Sequence, residues 1–219
     1  MLQPSSSAPY QTLPSVQTST VFNPHYNSFN TASKIVVALE RISEAFRVML
    51  WQESKANGLS PLQIQILIFL AFHTQEKRTV SYLAQEFNMT KPTISDAVRV
   101  LLEKKLTEKE QNLEDTRSYA INLTAEGRAI AERASAFANK FDAPLLQMPP
   151  IEQEYLLGQL MNIVNSFQKA GILTNQRSCH SCVFISKHAY SEAHHCSFLR
   201  QTLSVADIRV DCPHYRPVS

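Results

Sequence analysis

Residues 79–106 read TVSYLAQEFNMTKPTISDAVRVLLEKKL, and this stretch decides the fold of the chain. Apolar residues recur at helical spacing in two groups, the first ending at Phe87 and the second beginning at Ile94. Two amphipathic helices joined by a tight corner account for the pattern. The stretch therefore predicts a helix-turn-helix.

The second of these helices has a recognisable start and an exposed polar face. Thr90 can cap it through its hydroxyl, and Pro92 falls in the first turn, where proline costs no hydrogen bond. If Ile94, Val98 and Leu101 point inward, the helical rotation turns the remaining positions outward. The outward set is Pro92, Asp96, Arg99 and Glu103, with Thr93 and Ser95 at its flanks. A short polar face of this kind suits a groove of DNA.

Apolar stripes predict further helices on both sides of this unit. One helix begins near Thr31, another is opened by Ser60 as cap and Pro61 as first residue, and one more ends at Gly171. The stripes are Ile35, Leu39, Ile42, Phe46 and Met49; Ile130, Ala134, Phe137 and Phe141; and Leu156, Leu160, Ile163 and Phe167. Such stripes either complete the core of their own chain or form a seam between two subunits.

Two short strand candidates, Leu106–Asn112 and Ser118–Leu123, follow the helix-turn-helix and predict a hairpin, or wing. The predicted fold class is mainly α with a small β wing (α+β), a winged helix-turn-helix flanked by long dimerisation helices. We divide the chain into a disordered tail at 1–30, this domain at 31–171, and a loop-rich, cysteine-rich module without a core of its own at 172–219. Within the domain, the helix-turn-helix spans 79–106 and the wing 106–124.

Composition sets broad bounds on function. The 219 residues are 44% hydrophobic and 18% charged, which is ordinary for a globular protein, and a net charge of +2 argues only weakly for nucleic acid. No apolar run approaches the ~20 residues of a membrane span, and residues 1–30 do not resemble a signal peptide. We therefore expect a cytoplasmic protein away from membranes. No nucleophile–base set or phosphate-binding glycine loop is present, so we predict that it is not an enzyme.

The chain resembles MarR-type winged helix-turn-helix regulators over roughly residues 31–171, most specifically in the ordered segments VSYLAQEF, MTKPTISDAVRVLLEKK and DTRSYAINLTAEG. The resemblance implies a homodimer that binds pseudo-palindromic double-stranded DNA with the helix at 90–104 in the major groove. It also implies that Arg117, beside Asp115, reaches toward the minor groove, and a plain surface pair of these two residues is the alternative. Lys105 stands where the family usually has glycine, so it must tolerate a left-handed backbone at a cost of about 1 kcal/mol.

The exposed residues of the second helix have candidate contacts with DNA. Lys91 and the amides behind the Thr90 cap would meet phosphate and position the helix. Arg99 can reach a guanine edge, worth ~1–3 kcal/mol of discrimination, or a phosphate. The shorter side chains of Thr93, Ser95 and Asp96 can contact base edges. Their alternative roles are local capping and solvation. The predicted DNA-binding set is Thr90, Lys91, Pro92, Thr93, Ser95, Asp96, Arg99 and Arg117.

All four cysteines lie near the end of the chain, with the spacing Cys179-x2-Cys182-x13-Cys196-x15-Cys212. In a chain without an export signal, cytosolic reductants disfavour disulfides, so the cluster favours metal binding or redox chemistry. Four thiolates can complete a tetrahedral site around Zn²⁺ or hold an iron–sulfur cluster. One CxxC pair followed by two separate cysteines, with a proline after the last, favours an iron–sulfur cluster, of the 4Fe-4S type, over Zn²⁺. Metal-free thiol switching is a further alternative.

Histidines crowd the same region and have two interpretations. They stand within or near the cysteine motifs, and they either supply a ligand or lie around the site. These histidines are His180, His194, His195 and His214.

The leading hypothesis is a dimeric DNA-binding transcriptional regulator, a repressor in the usual manner of such families, whose DNA affinity is set by the state of its C-terminal metal centre. We expect the long helices to transmit that state to the recognition helices. Two alternatives belong to other classes: an iron–sulfur electron carrier that uses the winged helix for protein contacts, and an interaction module with structural zinc. The signal is open among oxygen, nitric oxide, metal level and a small-molecule ligand.

Overall fold

Helices form most of the structure, a computed structural model that describes residues 20–23, 30–111, 119–174, 177–187 and 194–218. The chain divides by its internal contacts into a first unit, residues 1–48, and a second unit, residues 49–219. Most of the predicted N-terminal tail lies outside the described residues. So does the tip of the predicted wing, residues 112–118.

The helices follow the predicted stripes. In chain order they are α1 (Thr31–Asn57), α2 (Pro61–Phe72), α3 (Val80–Glu86), α4 (Lys91–Glu103), α5 (Ala125–Ser135), α6 (Asp142–Leu146) and α7 (Pro150–Lys169), with 3₁₀ turns at Gln75–Lys77, Ala136–Phe141 and Cys179–Ser181. The strands are β1 (Thr107–Gln111), β2 (Tyr119–Leu123), β3 (Ile185–Lys187), β4 (His194–Cys196) and β5 (Gln201–Leu203). The predicted class, mainly α with a small β wing, is confirmed. In the described parts of the chain, no helix has the length and apolarity to cross a membrane.

Side-chain caps start several helices, and Ser60 is the cap that the sequence predicted for α2. The Ser60 hydroxyl accepts a hydrogen bond from the Gln63 amide at 3.2 Å, and the Gln63 side chain accepts one from the Ser60 amide at 2.8 Å. Thr79 and Thr124 cap α3 and α5 through their hydroxyls. Each cap satisfies amides that the first helical turn leaves open, which stabilises a helix by about 1 kcal/mol.

The core of the second unit is built around α2. Its apolar side chains are buried on several sides, although Phe72 at its end is 61% exposed. The buried residues of α2 are Ile64, Ile66, Leu67, Phe69 and Leu70. They belong to one cluster with Leu83, Ile94, Val98, Leu101, Ile121, Ala131 and Ala134. Because burying one large aliphatic side chain is worth about 1.5–3 kcal/mol, this cluster fixes α3, α4 and the wing against α2 and α5.

The predicted wing is an antiparallel hairpin in which Thr107 lies opposite Leu123 and Gln111 opposite Tyr119. The Ile121 amide donates to the carbonyl of Arg78 at 2.8 Å, which ties the hairpin to the segment before α3. At the other end, Lys105 has a φ of 58°, so the predicted left-handed backbone is confirmed.

Two predictions about the C-terminal half are wrong in detail. The stripe that ends at Phe141 is not one helix, because α5 ends at Ser135 and a 3₁₀ turn follows. The module after Gly171 does have a small core of its own. Strands β3, β4 and β5 form an antiparallel sheet, and the buried residues beside it are Cys179, Cys196 and Leu203. Strands of three residues are too short to show a period in the sequence.

Candidate nucleic-acid interface and cysteine site

The exposed face of α4 carries the predicted DNA-contacting residues that the structure describes. They are Thr90, Lys91, Pro92, Thr93, Ser95, Asp96 and Arg99, and all are exposed. The opposite face is buried in the core through Ile94, Ala97, Val98 and Leu101. The core therefore holds the helix from behind and leaves a continuous polar face open. Arg117, the remaining predicted residue, lies outside the described residues.

The start of α4 is fixed by a side-chain cap and by the corner before it. Thr90 Oγ1 accepts from the Thr93 amide at 3.3 Å, and the two hydroxyl oxygens are 2.8 Å apart. The predicted cap is confirmed. Thr93 also takes part in local capping, which is the alternative to a contact with base edges. In the corner, Asn88 adopts a φ of 50°, a left-handed conformation that asparagine tolerates better than most residues. The Met89 amide donates to the carbonyl of Ala84 at 2.9 Å and closes the corner.

Arg99 is paired with acidic residues of its own helix. Its Nη1 lies 2.7 Å from Oε1 of Glu103, and its Nη2 lies 3.7 Å from Oδ1 of Asp96. The hydrogen bond to Glu103 raises the pKa of the guanidinium. All three side chains are more than half exposed, and pairs of this kind are weak. Arg99 can therefore exchange Glu103 for a DNA group.

A comparison with protein families agrees with this winged-helix geometry. The model of the MarR family covers residues 57–118, from the end of α1 to the wing. The winged-helix region is therefore similar to that of the MarR family. Among solved structures, S. aureus MepR in its DNA-binding conformation has 25% identity and a TM-score of 0.54, over 61% of this chain and 98% of that chain. The S. aureus MepR–DNA complex has 25% identity and a TM-score of 0.53, over 60% and 96%. No curated protein matches the chain.

Beyond the winged-helix region, the four cysteines line one cavity of about 20 Å³. Cys179, Cys182 and Cys196 are buried, Cys212 is partly exposed, and none of them forms a disulfide. The rest of the lining is mostly apolar and consists of Phe184, Ile185, Phe198, Leu199 and Leu203, with Arg209 and His214. The fold thus brings together four residues that span 34 positions of sequence.

Burial and neighbouring thiols set the chemistry of this cavity. Burial raises the pKa of the Cys179 thiol, and the other three cysteines act in the same direction. The Arg209 amide donates to Cys179 Sγ at 3.3 Å and acts in the opposite direction. Among the described residues, no three Cys, His, Asp or Glu side chains are arranged to hold a metal ion. The four cysteines line one cavity, but as placed they do not form such a group.

One of the four predicted histidines lines this cavity. It is His214, whose ring stacks on Phe198 with 4.3 Å between centroids. His180 and His194 face each other with 6.0 Å between ring centroids.

An ion-pair cluster around a buried arginine joins the cysteine module to α3, and no sequence pattern predicted it. Arg177 is 6% exposed. Its guanidinium donates to Asp211 from Nε at 2.6 Å and from Nη2 at 2.9 Å. It also donates to Glu86 from Nη1 at 2.5 Å and from Nη2 at 3.0 Å. We call these three residues the Arg177 cluster.

Aromatic residues of α2 and α3 surround the Arg177 cluster. The Tyr82 hydroxyl lies 3.2 Å from Arg177 Nη1, and the guanidinium lies 5.6 Å from the centre of the Phe69 ring. His73 Nε2 lies 3.0 Å from Asp211 Oδ2. Hydrogen bonds from Arg177 and His73 hold the pKa of the Asp211 carboxyl well below its usual range. The sequence offered one weak signal for this cluster, since Asp211 stands directly before Cys212 and Arg177 stands two residues before Cys179.

A second cavity, of about 410 Å³, opens beside α6 and α7. Four of its eight lining residues are leucines of these two helices, and the others are Pro150, Gln153, Glu154 and Ala206. Its volume lies in the usual range of small-molecule sites.

Proposed function

We propose that this protein is a sequence-specific DNA-binding transcriptional regulator that acts as a homodimer and that represses. The observation that carries the proposal is the polar face of α4, which stands open while the core holds the helix from behind. The likeness to the S. aureus MepR–DNA complex supports this assignment of the face.

In the proposed complex, α4 lies in the major groove of DNA. Lys91 and the amides at the start of α4 meet phosphate, which fixes the position of the helix without reading sequence. Arg99 and the short side chains at 93, 95 and 96 reach base edges. Arg117 reaches the adjacent minor groove, where a narrow, AT-rich site has the most negative potential.

Exposed apolar residues on the terminal helices support the homodimer. Several exposed large apolar side chains on one helix can mark an interaction site. Those on α1 are Ile35, Val36, Ile42, Phe46, Val48 and Trp51, and those on α6 and α7 are Leu145, Leu146, Ile151, Tyr155, Leu160 and Phe167. A two-fold dimer presents two copies of α4, and these read half-sites about 34–36 Å apart on pseudo-palindromic DNA.

We further propose that the four cysteines hold an iron–sulfur cluster whose state sets the affinity for DNA. The apolar lining and the Arg209 amide at Cys179 Sγ support this, because hydrogen bonds to sulfur and low solvent exposure tune such centres. A cluster supplies a one-electron redox change or is lost on oxidation. Zinc is the alternative. Four sulfurs would each bind one Zn²⁺ at about 2.3 Å. One CxxC pair followed by two separate cysteines favours the cluster over this ion.

The first experiment is anaerobic purification followed by a visible absorption spectrum and by iron, sulfide and zinc analysis. We expect a broad visible absorption with iron and acid-labile sulfide, and zinc without colour would replace the cluster by a structural zinc site. Selection from random double-stranded DNA then gives the operator. Equal affinity of metal-loaded and metal-depleted protein at fixed salt would contradict regulation by the metal.

Two alternatives have distinct signatures in the same experiments. A reversible redox couple without specific DNA retention identifies an electron carrier. A small-molecule signal has a candidate site in the 410 Å³ cavity beside α6 and α7, and it would change DNA affinity without changing the metal content.

A further inference from the structure

We infer that Arg177 is a positioning residue that transmits the state of the cysteine cavity directly to the helix-turn-helix. The inference rests on the proposed function, since it names the route by which the cysteine centre would regulate DNA binding. From the sequence, we expected the long helices to be this route. The Arg177 cluster offers a shorter one within a single chain.

On the cysteine side, the backbone around Arg177 is bonded to the segment that carries Cys212. The Cys212 amide donates to the carbonyl of Arg177 at 2.9 Å, and the Cys179 amide donates to the carbonyl of Arg209 at 3.1 Å. The bidentate pair between Arg177 and Asp211 lies beside these bonds. Two cysteine-bearing segments that line the cavity are therefore joined at Arg177, and a change in how the four sulfurs are held moves Asp211 relative to Arg177.

On the DNA side, the same guanidinium holds the end of α3. Glu86 is the last residue of α3, and Thr90, the cap of α4, follows four positions later. Close by, the Thr174 hydroxyl donates to the carbonyl of Gln85 at 3.1 Å. Two consecutive residues at the corner of the helix-turn-helix are thus held by the segment that leads into the cysteine module.

The chemistry of arginine makes this connection stiff. A guanidinium is a planar fork, and here its nitrogens are shared between two carboxylates. A displacement of Asp211 cannot be absorbed without weakening one of the two pairs. Because Arg177 is 6% exposed and the side chain of Glu86 is 15% exposed, water replaces a lost partner poorly. The loss of either pair therefore loosens Glu86 and, through the short corner, the start of α4.

The test compares the DNA affinity of protein reconstituted with Fe²⁺ and sulfide and of the same protein after chelation. The ratio of the two dissociation constants is measured for wild type, for Glu86→Gln and for Asp207→Asn. Asp207 belongs to the same module but bonds locally to Ser204, so it serves as the control. We expect a ratio of about fivefold or more in wild type and in Asp207→Asn, a typical size for coupled sites. In Glu86→Gln we expect a ratio near one, with unchanged iron content.

The outcomes separate the two proposals. A wild-type ratio of one overturns regulation by the metal, and this inference with it. A full wild-type ratio that persists in Glu86→Gln overturns the inference alone.

Amide hydrogen exchange gives a readout that does not depend on DNA or on a folded Glu86→Gln variant. Metal removal from the wild-type protein should speed exchange at residues 87–93, and Thr174→Val should reduce the difference between the loaded and depleted forms. Equal exchange at these residues in the loaded and depleted wild type would also overturn the role of Arg177.

Discussion

Gly127 in the first turn of α5 lies directly against the carbonyl oxygen of Leu106, and a Cβ at Gly127 would stand 1.9 Å from that oxygen. The Thr124 amide donates to the same oxygen at 3.1 Å. The close approach holds the start of α5 against the base of the wing. A residue with a side chain cannot occupy position 127 unless the backbone moves.

Gly127→Ala should therefore lower the free energy of unfolding. Alanine gains up to about 1 kcal/mol of helix propensity, but overlap with a backbone atom forces a shift that costs about 1–3 kcal/mol or more. Urea unfolding measures the difference. Gly158→Ala in α7 is the matched control, because its Cβ would meet only Val205 Cγ1 at an ordinary 3.7 Å. We expect the control to gain about 0.5–1 kcal/mol, and an equal gain at position 127 would refute the contact with Leu106.

Arg177→Met should destabilise the second unit strongly. Removing one partner of a buried pair costs about 3–5 kcal/mol, and the lower end applies because the side chain of Asp211 is 48% exposed. Arg128→Met removes an exposed arginine whose Nη1 lies 4.0 Å from Glu132, so it should cost less than about 1 kcal/mol. Denaturant unfolding measures the free energy of unfolding of the two variants. Similar losses would show that the Arg177 cluster contributes no more to stability than an exposed ion pair.

Glu103→Gln should strengthen binding to DNA. The substitution removes a negative charge from the exposed face of α4 and releases Arg99 from its 2.7 Å pair. Affinity at fixed salt is the measurement, on the selected operator and on unrelated DNA. Glu132→Gln, the same charge change on α5, controls for net charge alone. Equal gains in the two variants would assign the effect to total charge rather than to Arg99.

Arg99→Ala distinguishes the two contacts that remain open for this residue. A base contact predicts a loss of about 1–3 kcal/mol on the operator and relaxed specificity at one position. A phosphate contact predicts equal weakening on all sequences and a salt slope smaller by about one. No change in either quantity would remove Arg99 from the interface.

Ile151→Glu should convert the proposed dimer into a monomer. Ile151 is 73% exposed on α7, and a buried carboxylate in an apolar seam is costly. Sedimentation velocity measures the state of association, and circular dichroism checks that the helices remain. Val218→Glu, at a position with 65% exposure near the end of the chain, is the control. A dimer that persists in Ile151→Glu would place the seam elsewhere.

Local patterns in the sequence were sufficient for the winged helix. Thr90 and Ser60 predict helix starts because a cap bonds to an amide only three residues away. Ile94, Val98 and Leu101 predict a buried face because helical geometry repeats every 3.6 residues. The left-handed Lys105 was predicted from the resemblance, because the family usually has glycine at this position. The three-residue strands of the cysteine module left no such pattern.

The sequence by itself determined that a helix-turn-helix with a capped, polar second helix is followed by four closely spaced cysteines. Only the tertiary structure decided that these cysteines share one cavity and that Arg177 joins their module to Glu86, 91 positions earlier in the chain. The physical reason is the range of the interactions. Caps and stripes depend on neighbours within one or two turns, whereas an ion pair between distant segments exists only after the core has brought those segments together.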